Sequence, residues 1–314
     1  MTYGTAGGAS LLLDEYLPGG RGLYPALIAL HGGGWWTGDK ADWDNNCRQL
    51  AQHGFACFSV NYRLAPRFPY PAAVEDVLAA VRWVRDHADK LGVDPTRLGA
   101  IGSSAGGHLA AMVGVTGSGP TVSGTRVNVV VAWSGVFDFT TFAQAAPNES
   151  TQHIDEFLGC DVHASGCQSA ARQASPVTYL DPTDPPTFVA NSTTELVPLA
   201  QPNEMANDLQ REGIPDQLVI VPGNHHGTAL KLQRIPNSGQ TVFDATIAFL
   251  SRWIGAARTE PSPSPSSEVA TPTSSPSPSS PVWWLAAVVF GLTVVALVGS
   301  RIVAGGRPAR SDRG

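Results

Sequence analysis

"RLGAIGSSAGGHLAA", residues 97–111, changes character in its middle. Arg97–Gly102 is short and apolar and predicts a buried strand. Ala105–Val115 is small and apolar over a longer run and predicts a helix. Between them stands Gly102-Ser103-Ser104-Ala105-Gly106, a G-x-S-x-G in which only Ser104 fits the centre, because Ser103 has Ile101 two residues before it. A strand that turns sharply into a helix forces the central residue into a strained backbone conformation, and flanking glycines let neighbouring chain pass close by. The serine hydroxyl then stands exposed at a helix N-terminus, whose dipole favours developing negative charge. That pattern predicts a nucleophilic serine.

A second glycine-rich stretch lies upstream. Pro25–Leu30 reads as another buried strand and runs into HGGGWW, residues 31–36. Three consecutive glycines cost backbone entropy and add no packing, so they point to bare N–H groups that must approach an anion. Attack by Ser104 on a carbonyl creates such an anion. The N–H groups of Gly33, Gly34 and Ala105 are the expected donors.

Composition narrows the function classes. The chain has 314 residues and a formal net charge of −6, with no basic stripe, which speaks against a nucleic-acid partner. Its four cysteines, Cys47, Cys57, Cys160 and Cys167, form no CxxC, so no zinc or thioredoxin-type motif is supported. Neither a metal nor a cofactor is expected. Cys160 and Cys167 flank the six-residue stretch DVHASG, and a disulfide closing so short a loop is sterically easy. Cys57 alternates within an apolar strand pattern and reads as a small buried hydrophobe, with a Cys47–Cys57 bridge as the alternative.

After Ile254 the chain changes again. Residues 258–281 are rich in proline and serine, the composition of an extended linker. Val282–Ser300 is nineteen residues without a charge, and a helix of that length spans roughly 28 Å, enough for a bilayer core. Trp283 and Trp284 stand at one end, and four arginines between Arg301 and Arg313 follow the other. The organisation expected is therefore a domain over 1–257, a linker over 258–281, a transmembrane helix over 282–303 and a basic cytoplasmic tail over 304–314. The arginine asymmetry places the domain outside the cytoplasm. Residues 1–20 carry no secretory signal pattern and read as the first edge strands of the domain. Either a signal peptide lies upstream of the recorded start, the preferred reading, or the protein is tail-anchored with the opposite topology.

The chain resembles α/β-hydrolases of the hormone-sensitive-lipase-like and bacterial feruloyl-esterase-like group. The stretches that carry the resemblance are HGGGW (31–35), VNYRLAP (60–66), FPYPAAVEDVLAAVRWV (68–84), DPTRLGAIGSSAGGHLAA (94–111), SPVTYLDPTDPP (175–186) and VPGNHHG (221–227). They cover roughly residues 10–254. The resemblance implies an α/β-hydrolase fold: a mostly parallel eight-stranded sheet with helices on both faces and a small insertion over the site. It also implies cofactor-independent hydrolysis of small-molecule carboxylic esters by a Ser–acid–His triad through an acyl-enzyme.

In that chain order the histidine follows the last strand, here Gln217–Val221, and both His225 and His226 are available. The group's P-G-x-x-H-G pattern selects His226. The acid belongs after the penultimate strand, Thr187–Ser192. Members of the group place Asp three residues before Val-Pro, which falls on Thr194; Glu195 is one residue late. Glu195 is taken as the acid, since Glu is one methylene longer than Asp and a loop can shift by one residue. His31 is expected to brace the glycine loop and His108 to be structural. One of Trp35 and Trp36 is expected to pack beneath the glycine loop and the other to face substrate. Phe137, Phe139, Phe142 and Phe157 either line the site or pack the insertion over 136–175. Two other functions remain open at this level: a peptidase or amidase using the same residues, and a catalytically impaired, membrane-tethered recognition module, which the missing Asp at 194 would suit.

Overall fold

The computed structural model describes residues 1–20, 22–145 and 151–255. The sequence-predicted linker 258–281, transmembrane helix 282–303 and tail 304–314 lie outside the described residues. Among the described residues no helix is long and apolar enough to cross a membrane.

Eight strands form one sheet: β1 Thr2–Ala6, β2 Ala9–Tyr16, β3 Tyr24–Leu30, β4 Ala56–Val60, β5 Val93–Ser103, β6 Val129–Trp133, β7 Thr187–Ser192 and β8 Asp216–Val221. Their spatial order is β1-β2-β4-β3-β5-β6-β7-β8. β1 and β2 pair antiparallel, as do β2 and β4, and all other pairs are parallel. The central strands read as unbroken apolar runs because they are covered on both faces. YPALIAL in β3 is buried at every position. Successive side chains serve opposite layers: Ala26, Ile28 and Leu30 pack with Val77, Val81, Leu109 and Val113, while Leu27 and Ala29 pack with Leu50, Phe249 and Leu250. The first group of partners lies on helices α2 (Ala72–Asp86) and α4 (Ala105–Thr116), the second on α1 (Asp44–Gln52) and α9 (Val242–Ile254), so helices cover both faces as expected. Between α2 and α4 lies the short α3 (Ala88–Leu91), and α8 (Ala200–Arg211) packs Met205 and Leu209 beside Val189 of β7.

The insertion expected over residues 136–175 contains α5 (Phe139–Ala145), α6 (Gln152–Leu158) and α7 (Gln168–Gln173). Cys160 and Cys167 are bonded, joining the end of α6 to the start of α7. Cys57 is not the free buried hydrophobe that its strand pattern suggested: it is bonded to Cys47, with Cα atoms 5.2 Å apart, and ties α1 to β4. Alternation along β4 buries Cys57 on the face that α1 covers, and Cys47 is buried on the helix side of that contact. Replacing both Cys47 and Cys57 by alanine should lower the unfolding free energy by about 2–4 kcal/mol, because the unfolded chain regains the freedom of that loop. Urea unfolding under non-reducing conditions measures it.

The parallel strands end together. Leu30 is level with Gly102, and Ser103 with Trp133. The loops that leave the carboxyl ends of β3, β5, β6, β7 and β8 therefore converge on one edge of the sheet, where sites form in open α/β sheets.

Candidate active site

Ser104 sits at the turn between β5 and α4 with φ +56° and ψ −123°, a conformation that non-glycine residues seldom adopt. It is held there by its N–H, which donates to the Trp133 carbonyl at 2.8 Å. The flanking glycines are required by close approach. A Cβ on Gly102 would lie 2.1 Å from the Gly106 carbonyl oxygen, and one on Gly106 would lie 2.1 Å from that of Leu30. Local sequence thus dictates the sharp turn that lifts the Ser104 hydroxyl out of the sheet edge.

His226 follows β8 and reaches that hydroxyl: its Nε2 is 2.8 Å from Ser104 Oγ. On the other side of the ring, Nδ1 meets Glu195 Oε2. With Glu195 accepting the Nδ1 proton, Nε2 is left to accept from Ser104. The Glu195 side chain is fully buried, and its other oxygen, Oε1, accepts from Ser134 Oγ at 2.9 Å and from the Ser192 N–H at 3.2 Å. Of the two adjacent histidines, His225 contributes its carbonyl, which accepts from Ser192 Oγ at 2.7 Å. Thr194, where the group places its acid, is turned away: its N–H and its hydroxyl each donate to the Gly223 carbonyl at 2.9 Å. The structure therefore brings together Ser104, His226 and Glu195.

The glycine loop lies against the serine. A Cβ on Gly32 would sit 3.3 Å from Ser104 Cβ, and Gly33, at φ +104°, leaves no room for one because the Thr37 carbonyl oxygen would be 2.2 Å away. The loop is closed by the Trp36 and Thr37 N–H groups donating to the Gly33 carbonyl. Among the described residues the N–H groups of Gly33, Gly34 and Ala105 carry no hydrogen bond. His31 braces this loop from below. Its Nδ1 is 2.7 Å from the Gly32 carbonyl, its ring stacks on Tyr62 at 4.3 Å, and burial lowers its pKa, which keeps it neutral. The two tryptophans differ in burial. Trp35 is buried, stacks on Phe157 at 4.6 Å and donates through Nε1 to His108 Nδ1 at 3.0 Å, whereas Trp36 is half exposed and stacks on His153 at 4.4 Å. His108 donates through Nε2 to the Ala174 carbonyl, and full burial pushes its pKa down to about 4. It is a structural link between α4 and the insertion.

A cavity of about 580 Å³ opens beside Ser104 and His226. One wall is apolar, with Val136, Phe142, Ile154 and Val197. Phe142 is the member of the four phenylalanines that reaches it, while Phe137, Phe139 and Phe157 are packed into the core. Sequence reasoning missed Ser134 and Ser192. Neither carries a local motif, and each matters only through residues far away in the chain.

Fold and site together define an α/β-hydrolase with a serine elbow, a histidine and a buried carboxylate at the carboxyl edge of the sheet. The family model BD-FAE matches residues 13–209, and the chain belongs to the BD-FAE family. Among curated relatives, the Mycobacterium tuberculosis protein named "Probable carboxylic ester hydrolase LipM" is 32% identical over 198 residues, covering 60% of this chain and 46% of the relative. Among solved structures, a truncated carbohydrate esterase from gut microbiota is 27% identical with a TM-score of 0.66, covering 76% of this chain and 90% of that one. A thermophilic esterase of Thermogutta terrifontis shares the fold at 24% identity and a TM-score of 0.65, covering 83% of this chain and 93% of that one. The chain spans about half or less of the length of the curated relatives it matches.

Proposed function

We propose that the chain is a serine carboxylesterase that cleaves small-molecule esters through an acyl-enzyme, with Ser104 as nucleophile, His226 as general base and acid, and Glu195 as the carboxylate that holds the imidazole. The observation that carries this reading is the unbroken relay from Ser104 Oγ through both ring nitrogens of His226 to a fully buried carboxylate. His226 takes the serine proton as Oγ attacks the carbonyl carbon, and the free N–H groups of Gly33, Gly34 and Ala105 receive the oxyanion. The tetrahedral adduct collapses as His226 Nε2 returns the proton to the leaving alcohol. Water then attacks the acyl-enzyme with His226 again as base. A carboxylate on Nδ1 removes the reason for reading the chain as a catalytically impaired module. A fluorophosphonate probe together with a series of p-nitrophenyl esters tests the proposal: labelling of Ser104 and saturable hydrolysis are expected, and a protein that does neither is not a serine esterase.

We also propose the arrangement read from the sequence, with the hydrolase domain outside the cytoplasm, tethered through the 258–281 linker to a transmembrane helix over 282–303. The uncharged run of residues 282–300 and the arginines after it support this. Protease added to intact cells should release a fragment ending within the linker and retaining esterase activity. A domain that stays protected until the cells are lysed would reverse the topology.

A further inference from the structure

Two residues at the carboxyl end of β6, Trp133 and Ser134, touch every segment that carries the catalytic array. The Trp133 carbonyl accepts from the Ser104 N–H at 2.8 Å. Ser134 Oγ donates to Glu195 Oε1 at 2.9 Å and accepts from the Gly227 N–H, next to His226, also at 2.9 Å. Ser134 is fully buried, and its own N–H donates to the Ala190 carbonyl of β7 at 2.8 Å. Its φ is +51°, one of four positive values among the described non-glycine residues; another is Ser104 itself. A left-handed conformation is strained for a serine, and such strain persists where surrounding structure holds it and clusters at active sites. Glycine would relieve that strain but would not supply a hydroxyl.

We propose that Ser134 is a positioning residue of the catalytic array: its hydroxyl clamps the second oxygen of the Glu195 carboxylate and the peptide N–H beside His226, fixing both at once. The proposal rests on the Ser104–His226–Glu195 reading. Its physical basis is the late acid. A glutamate has one more rotatable bond than an aspartate, so a carboxylate gripped by one oxygen alone keeps rotamer freedom that works against a fixed imidazole. Oε2 is engaged by His226, and Oε1 has two donors, the Ser192 N–H and the Ser134 hydroxyl. The first comes from the last residue of β7, three residues before the acid on the same segment. The second comes from a different strand and ties the acid loop to the histidine loop. Bonds to a charged acceptor are the strong ones, and here the acceptor is shielded from water.

Ser134→Ala and Ser134→Gly separate the hydroxyl from the backbone conformation, since both lack Oγ and only glycine accepts φ +51° freely. Both variants should lower kcat on p-nitrophenyl butyrate by about 10- to 100-fold, the range that one hydrogen bond to a charged group supports. KM should stay within about threefold of wild type, because the clamp acts on the relay and not on substrate binding. Labelling of Ser104 by a fluorophosphonate should slow in parallel, which reads nucleophile activation without relying on ester turnover. A Ser134→Gly protein with wild-type kcat and labelling rate would overturn the proposal and leave Ser134 a backbone element. If the wild type labels but hydrolyses no ester, the ester reading fails while the clamp is still measured by labelling. If it does not label at all, both fall together.

Discussion

Replacing Ser104 by alanine should cut kcat for short p-nitrophenyl esters by a factor on the order of 10⁶ and abolish fluorophosphonate labelling, whereas Ser103→Ala should retain most of the activity. The two serines are neighbours and both are near the site, so the contrast is informative. Ser104 Oγ lies 2.8 Å from His226 Nε2. Ser103 is the last residue of β5, is buried, and makes no hydrogen bond to the histidine among the described residues. Loss of the Ser104 hydroxyl leaves only binding and the oxyanion donors to act on bound ester, which accounts for a residual rate above that of water. Circular dichroism of both variants should match wild type, since removal of Oγ at 104 breaks, among the described residues, no bond other than that to His226. A dead Ser103→Ala and an active Ser104→Ala would place the nucleophile one residue earlier and refute the elbow as described.

Glu195→Gln should lower kcat at neutral pH by about 10⁴, the loss seen when a serine hydrolase's acid is changed to its amide. The amide keeps the shape of the side chain but presents an NH₂ as well as an oxygen. It then either offers a donor to Nδ1, selecting the tautomer that cannot accept from Ser104, or holds the right tautomer without a charge to stabilise the imidazolium. Activity above roughly a tenth of wild type would make Glu195 a bystander. Thr194→Asp combined with Glu195→Ala should not restore the rate. Thr194 is exposed, and its N–H and hydroxyl both point to the Gly223 carbonyl, so a carboxylate there faces away from the imidazole. Recovery in that double variant would mean that the loop after β7 can readopt the register of relatives with Asp.

The residues that consecutive sequence constrains were legible without coordinates. The elbow is written in five adjacent positions, because backbone strain at Ser104 and close approach at Gly102 and Gly106 admit few side chains. The buried parallel strands are written in unbroken apolar runs, and the two-sided covering of the sheet follows from them. His226 needed more. Two histidines stand side by side, and a pattern shared with relatives was required to choose between them. The loop after β7 lacks the usual aspartate, and in the sequence only side-chain length and proximity point to Glu195. Its selection became geometric only when the fold turned Thr194 to Gly223 and Glu195 inward to Nδ1. The Cys47–Cys57 bond was no more than an alternative, since a helix cysteine and a strand cysteine meet only where α1 is packed on β4.

Ser134, Ser192 and the Trp35–His108 bond were not visible at all. Sequence by itself determined the class of fold, the serine elbow and the glycine loop, because steric and periodic constraints act between neighbours along the chain. The hydrogen-bond partners of Glu195 and the walls of the cavity were decided by tertiary structure alone. Each depends on loops from separate strands meeting at one edge of the sheet, and a hydrogen bond between residues 61 apart, such as Ser134 to Glu195, leaves no periodicity to read.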